Sequence, residues 1–255
     1  MTNPPEALGS MLARLGLRAL AAELDDVLAQ AAKARWSPLQ LLEHVASREL
    51  DERAVHGLRR RLGRAKLGSF KPLTDFDWSW PKRIDRERVE SLMTLDFLQR
   101  AHNVVLVGPH GLGKTTLAQN VAYQALVAGH TVRMITTSDL LLDLDAAEQT
   151  RKLERRLRYW ANLRLLLLDE LGYVSYDTHN ADLLYQVISR RHERRSTVIT
   201  TNLPFRSWGT VFPSTGSAAA LIDRVVHHAE VILLEGESYR LREAEASRPQ
   251  KARRR

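Results

Sequence analysis

A chain of 255 residues with 44% hydrophobic content can bury a proper core, as one large domain or a medium domain with a small partner, which excludes a disordered polypeptide. It contains no cysteine, so disulfides, thiolate catalysis and cysteine-ligated zinc are excluded together. The formal net charge of +8 favours a polyanionic partner, nucleic acid before a membrane surface.

No apolar run approaches the ~18 residues of a membrane span, and Met1-Thr-Asn-Pro-Pro-Glu6 has no signal-peptide pattern. The expectation is a soluble, cytoplasmic protein with no membrane partner. The nine histidines show no H-E-x-x-H or comparable ligand spacing, so no structural metal site is expected.

The first ~70 residues carry helical periodicity without strand-like alternation. Leu20, Leu24, Val27 and Leu28 form one stripe. Ser37-Pro38-Leu39-Gln40 reads as a helix start, with a Ser cap, Pro in the first turn and Gln three residues beyond the cap. Leu42, Val45, Ala46, Leu50, Ala54, Leu58 and Leu62 then continue an apolar face. Arg53, His56, Arg60 and Arg64 form a basic ridge on the other side, and with Arg59 and Lys66 they are either a solvated face or a DNA contact. Three further basic clusters follow: Arg151 to Arg158, Arg190 to Arg195, and the tail from Lys251 to Arg255.

Residues 68–84 break the helical pattern and read as a linker. Phe76, Trp78 and Trp80 alternate within it; they either stack on bases or, more simply, pin the linker to the following domain. A helix is expected over Arg86 to Leu98.

From residue 103 onward strand and helix signals alternate. Asn103 to Val107, Thr131 to Thr136, Leu165 to Leu168, Val198 to Thr201 and Val231 to Leu234 are the strand candidates. That alternation specifies a parallel sheet with helices on both faces and ligands at the carboxyl ends of the strands. Between the first strand and its helix lies Gly108-Pro109-His110-Gly111-Leu112-Gly113-Lys114-Thr115, followed by Thr116. The backbone N–H groups of such a loop, backed by a helix N-terminus, point at nucleotide phosphates. Lys114 would reach the phosphate oxygens and the Thr115 hydroxyl would take one position on Mg²⁺.

The strand Leu165 to Leu168 ends in Asp169 and Glu170. One acid suffices to hold Mg²⁺, and Glu170 stands where a general base could polarise a water. Two adjacent acids after a buried strand are otherwise costly to desolvate. Val198 to Thr201 ends at Asn202, which is placed to orient that water.

Together these segments resemble the AAA+ ATPases over about residues 85–242. The resemblance implies strand order 5-1-4-3-2, ATP with Mg²⁺, and a site shared between subunits of a homo-oligomer. In Leu221-Ile-Asp-Arg224-Val it implies an arginine finger at Arg224 for the neighbour's ATP, the alternative being a surface ion pair. A trans guanidinium contributes about 10³–10⁵ in rate. The pattern departs from that family after Leu234, where too little chain remains for a full helical lid, and Arg240 stands as a possible reduced sensor.

Further strings narrow the resemblance. Ser37-Pro-Leu-Gln-Leu-Leu-Glu-His44, Asp169-Glu-Leu-Gly-Tyr173, Thr200-Thr-Asn-Leu-Pro204, Asp223-Arg-Val-Val-His-His228 and Gly236-Glu-Ser-Tyr-Arg-Leu-Arg242 are similar to IstB proteins, over about residues 8–243. His110 departs from the usual Pro without removing a required group. The resemblance implies a DNA-stimulated ATPase that oligomerises on duplex DNA with little sequence preference and recruits the transposase encoded by the same element. A helicase loader of the DnaC type and a nucleotide-gated DNA-coating scaffold remain open alternatives. The implied organisation is a helical N-terminal domain over 1–67 for DNA binding and assembly, a linker over 68–84, an ATPase domain over 85–243 with a minimal or absent lid, and a basic tail over 244–255.

Overall fold

The computed structural model describes residues 4–147, 150–239 and 242. The chain separates into two compact units, Met1–Arg60 and Arg61–Arg255. Among the described residues no helix is long and apolar enough to cross a membrane.

The first unit is helical: α1 (Pro4–Arg14), α2 (Arg18–Ala22), α3 (Leu24–Ala34) and most of α4 (Pro38–Ala65). The start of α4 is a reciprocal capping box. Ser37 N–H donates to Gln40 Oε1 at 2.8 Å and Gln40 N–H to Ser37 Oγ at 3.3 Å. The small core gathers Leu20, Leu24 and Val27, with Leu12, Leu17, Leu41 and Val45 packed against them. Two parts of the expected apolar face lie elsewhere. Leu28 is 42% exposed, and Leu42 and Leu50 are each 66% exposed, because short helices cover only the strip of α4 that carries Leu41 and Val45. Glu49 is buried for a different purpose: its carboxylate accepts from the backbone N–H groups of Ala19 at 2.9 Å and Leu20 at 3.3 Å, closing the N-terminus of α2.

The second unit contains the sheet. Residues 86–99 are not the single helix expected but α5 (Arg86–Ser91), a 3₁₀ turn (Leu92–Thr94) and α6 (Asp96–Gln99), broken where Leu95 takes φ +63°. At ~100° per residue a continuous helix would turn Phe97 away from Leu95, and the break lets Leu92, Leu95, Phe97 and Leu98 all be buried.

Five parallel strands follow: β1 (Asn103–Val107), β2 (Val132–Thr136), β3 (Leu165–Leu171), β4 (Ser196–Thr201) and β5 (Ala229–Leu233). Their order is β2-β3-β4-β1-β5, which is the expected order read from the other edge. Val105 pairs with Ile199 on one side and Val231 on the other, and Leu167 pairs with Val198 and Met134. The helices between them are α7 (Lys114–Val127), α8 (Thr137–Asp145), α9 (Thr150–Asn162), α10 (Thr178–Arg191) and α11 (Thr215–Val226). Leu165 to Leu168 are wholly buried, as a central parallel strand covered on both faces requires.

One charge sits inside this core. Arg191, 1% exposed, donates to the carbonyls of Trp160 at 2.7 Å and Leu163 at 2.9 Å, to the Ser196 carbonyl, and to Thr197 Oγ1 at 3.0 Å. It thereby ties the end of α9 to the starts of β3 and β4. Burial pushes its pKa down to about 9, with Arg195 adding to the effect, so it remains charged at neutral pH. Arg191→Met leaves several buried carbonyls unpaired and is expected to lower stability by about 3 kcal/mol, measurable as a lower urea midpoint with an unchanged slope.

Candidate nucleotide-binding site

The glycine loop joins β1 to α7 because two of its glycines supply conformations closed to other residues. Gly113 caps α7 at φ +84°, and a Cβ there would stand 2.6 Å from Cε2 of Phe76. Gly111 at φ +77° lies against Ser238 with no room for a side chain. Lys114 opens α7, is 8% exposed, and donates from Nζ to the carbonyls of Gly108 at 2.6 Å and Pro109 at 2.7 Å. Its ammonium therefore lies over the loop.

Around the loop is a cavity of about 350 Å³, at the carboxyl ends of β1, β3 and β4. His110, Gly111, Leu112, Gly113, Lys114, Thr115 and Thr116 line it, as do Glu170 and Asn202. Asp169 stands directly behind. It is 6% exposed, and it accepts from Thr115 Oγ1 at 3.0 Å and from the Thr200 hydroxyl. The same Thr200 Oγ1 accepts from the Glu170 backbone N–H at 3.0 Å.

That last bond marks an irregularity in β3. Register shifts between Leu168 and Leu171, and Glu170 takes φ +60°. A left-handed non-glycine residue costs about 1–2 kcal/mol; here it sends one acid inward and the next outward, so that Asp169 is buried and Glu170 exposed into the cavity.

The opposite wall is aromatic and is supplied by the linker and by the chain that follows β5. Phe70, Phe76, Trp80 and Tyr239 line the cavity. Trp80 donates its indole N–H to the Glu237 carbonyl at 2.9 Å and meets the Tyr239 ring edge-on at 5.9 Å, while Phe76 and Trp78 pack at 4.8 Å. The linker aromatics are thus pinned to the sheet unit, the simpler of the two readings, and in being pinned they complete the pocket. Only the proximity of Phe76 to Gly113, invisible along the chain, could have signalled this.

A nucleoside triphosphate with Mg²⁺ fits these residues. The loop has no space for side chains where phosphates would approach, the aromatic wall suits a purine face, and the hydroxyl–carboxylate pair of Thr115 and Asp169 is the all-oxygen donor set that Mg²⁺ takes.

Other expected site residues lie apart. Arg224, on α11, does not line the cavity of its own chain. Its Nε donates to the Tyr185 hydroxyl at 2.9 Å and its guanidinium lies 5.0 Å from that ring, holding the Tyr185 phenol below its usual range. Arg240 and the tail over 244–255 fall outside the described residues. Arg53, Arg59, Arg60, Arg64 and Lys66 are all exposed, and Arg53 also donates to the Gly16 carbonyl at 3.3 Å. Two basic clusters distant in sequence converge: Arg158, Arg190, Arg194 and Arg195 surround a surface depression of about 430 Å³. Part of that charge is neutralised, since Arg190 and Arg158 both hydrogen-bond Glu154 and hold its carboxyl down to about 2.

A five-stranded parallel sheet in this order, with a glycine loop on β1 and acids ending β3, defines a P-loop nucleotide-binding protein of the AAA+ type. The sequence profile of the IstB-like ATP binding proteins matches residues 10–247, and the chain belongs to that family. It is 36% identical over 233 residues to an insertion sequence IS21 protein of Pseudomonas aeruginosa described as ATP-binding, covering 91% of this chain and 88% of that one. It is 34% identical to the corresponding IS232 protein of Bacillus thuringiensis subsp. berliner, covering 95% and 97%. Among solved structures it superposes on DnaI with a TM-score of 0.54 at 21% identity, over 66% of this chain and 92% of that one, a likeness of fold.

Two glycines separate fold from site. Gly113→Ala and Gly129→Ala both force a side chain into a left-handed backbone, but only at Gly113 does the new Cβ meet a neighbour. Both variants are expected to lose about 1–2 kcal/mol in chemical denaturation, and only Gly113→Ala to lose affinity for a fluorescent ATP analogue, by at least about tenfold.

Proposed function

We propose that this protein is a cytoplasmic Mg²⁺-dependent ATPase that assembles as a homo-oligomer on duplex DNA and acts with the transposase encoded by the same insertion sequence. The observation that carries the catalytic part is the division of labour at the end of β3: Asp169 buried against Thr115, Glu170 turned into the cavity. Thr115 and Asp169 would hold Mg²⁺, which when bound neutralises charge on the β- and γ-phosphates. Lys114 and the backbone N–H groups of His110 to Thr115 hold the phosphate oxygens, Pro109 having none and the Gly108 N–H being given to the Thr201 carbonyl. Glu170 takes a proton from a water that Asn202 orients; the water oxygen bonds to the γ-phosphorus as the bond to the β–γ bridging oxygen breaks, leaving ADP and phosphate. Arg224 stands off its own cavity, which supports a role on the ATP of a neighbouring subunit, where it would offset charge on the transferred group.

The DNA part rests on family membership, on net charge +8, and on exposed Arg59, Arg60, Arg64 and Lys66 at the end of α4. The helical residues 1–67 serve binding and assembly, and contact to phosphates alone gives affinity without sequence preference. Duplex DNA is then expected to stimulate ATP turnover, with binding that falls steeply with salt.

Lys114→Ala is expected to lose ATP binding. Glu170→Gln should bind ATP normally while turnover falls by about 10²–10⁴, accumulating an ATP-bound assembly on DNA by electron microscopy. Normal turnover by Glu170→Gln would remove the base assignment. Arg224→Ala subunits are expected to be inactive alone, and mixing them with Lys114→Ala subunits should restore part of the ATPase activity if the site is shared.

A further inference from the structure

The ends of α10 and α11 bring together side chains that are distant in sequence. His192 and His227 are the last residues closing the two helices, donating their backbone N–H groups to Ile188 and Asp223 carbonyls at 2.9 Å. Glu193 follows the first and His228 the second, each in a left-handed backbone at φ +56° and +60°. The carboxylate of Glu193 faces the imidazoles. Its Oε1 lies 3.6 Å from His227 Nδ1, 3.8 Å from His192 Nε2 and 4.0 Å from His228 Nε2.

We propose that His192, Glu193 and His227 form a binding site for a borderline divalent transition metal, Zn²⁺ being the expected ion. The ligand atoms of these three residues all lie within 4.8 Å of one another. Tetrahedral Zn²⁺ with bonds near 2.0–2.2 Å needs ligand atoms about 3.4 Å apart, so side-chain shifts of a few tenths of an ångström from the two Glu193 separations begin to close the set. Two imidazole nitrogens and one carboxylate oxygen are a donor set for Zn²⁺ and not for Mg²⁺, which keeps oxygen ligands.

The second ring nitrogen of His192 strengthens the assignment. Its Nδ1 lies 3.2 Å from the Arg224 carbonyl. A carbonyl only accepts, so Nδ1 is the nitrogen that donates there, and Nε2 is the nitrogen left facing Glu193 and open to a metal, the arrangement that fixes metal-ligating histidines in general. Access is open, since the side chains of Glu193 and His227 are 58% and 50% exposed, leaving the fourth position to water. No ligand spacing along the chain announces this site, because two helix termini distant in sequence supply its residues. Metal bound there would clamp the end of α11 to the end of α10 through the very residue whose ring holds the Arg224 backbone.

The test uses the full chain without a polyhistidine tag, stripped with chelator and titrated with Zn²⁺ in excess Mg²⁺. One Zn²⁺ per chain is expected, with a rise in thermal midpoint, and Co²⁺ in its place should give the intense visible bands of a four-coordinate ion. Glu193→Gln and His227→Ala are each expected to weaken Zn²⁺ binding by about tenfold or more while binding ATP like the parent, which shows them folded. His130→Ala, a histidine elsewhere in the unit, should bind Zn²⁺ unchanged. Absence of saturable Zn²⁺ uptake by the parent, or equal uptake by parent and both cluster variants, would overturn the site.

Discussion

One hydroxyl organises the site. Thr200 Oγ1 donates to the Asp169 carboxylate and accepts from the Glu170 N–H at 3.0 Å, so β4 holds two successive residues of β3 in opposite senses. The bond is possible because β4 lies between β3 and β1 in the sheet, with Leu168 opposite Ile199 and Leu106 opposite Thr200. With β4 between them, the glycine loop on β1 and the acids on β3 lie one strand apart, and Thr115 at the start of α7 spans that gap to reach Asp169 at 3.0 Å. The topology is therefore a condition of the chemistry, and the kink at Glu170 is a cost of about 1–2 kcal/mol that the surrounding ladder can hold.

The wall of the cavity shows how a segment without regular structure becomes part of a site. Trp80, Tyr239 and Phe76 each meet either the glycine loop or the chain leaving β5. Arg83 N–H donates to the Glu235 carbonyl at 3.2 Å and Glu235 N–H returns to Arg83 at 3.0 Å, a two-bond clasp between the linker and that same exit. Gly236, at φ +145°, passes close to Lys82 and Pro81. The linker thus forms one edge of the candidate nucleotide pocket.

Much of this was legible in the sequence where a signal is local. The glycine loop, the apolar run of β3 and the capping box at Ser37 each announce themselves within a few residues, and the strand order came through family resemblance. What was not legible depends on residues meeting across the fold. The helix expected over 86–98 breaks at Leu95, because burying Phe97 outweighs helix continuity. Leu42 and Leu50 read as core by periodicity, but no packed element of their unit covers them. The bonds of Thr200 to two residues of β3, and the place of Phe76 against Gly113, likewise exist only in the folded chain. The pairing of Glu193 with His227 has no sequence period to find.

Arginines 191 and 224, on neighbouring helices, are held in opposite ways. Arg191 makes bonds to five groups in a site closed to water, each charged hydrogen bond worth about 1.5–3 kcal/mol. No conformational step can release it without breaking the junction of α9, β3 and β4. Arg224 is half-buried, held by one bond to Tyr185 and by that ring's face, a contact worth about 0.5–1 kcal/mol at an accessible site. Releasing it costs little, well within what a phosphate carrying several negative charges would return on contact. Its backbone, by contrast, is held by the ring of His192 on α10. A loosely held guanidinium on a firmly held helix end is the arrangement a group needs if it must swing to a ligand on another molecule while keeping its own origin fixed.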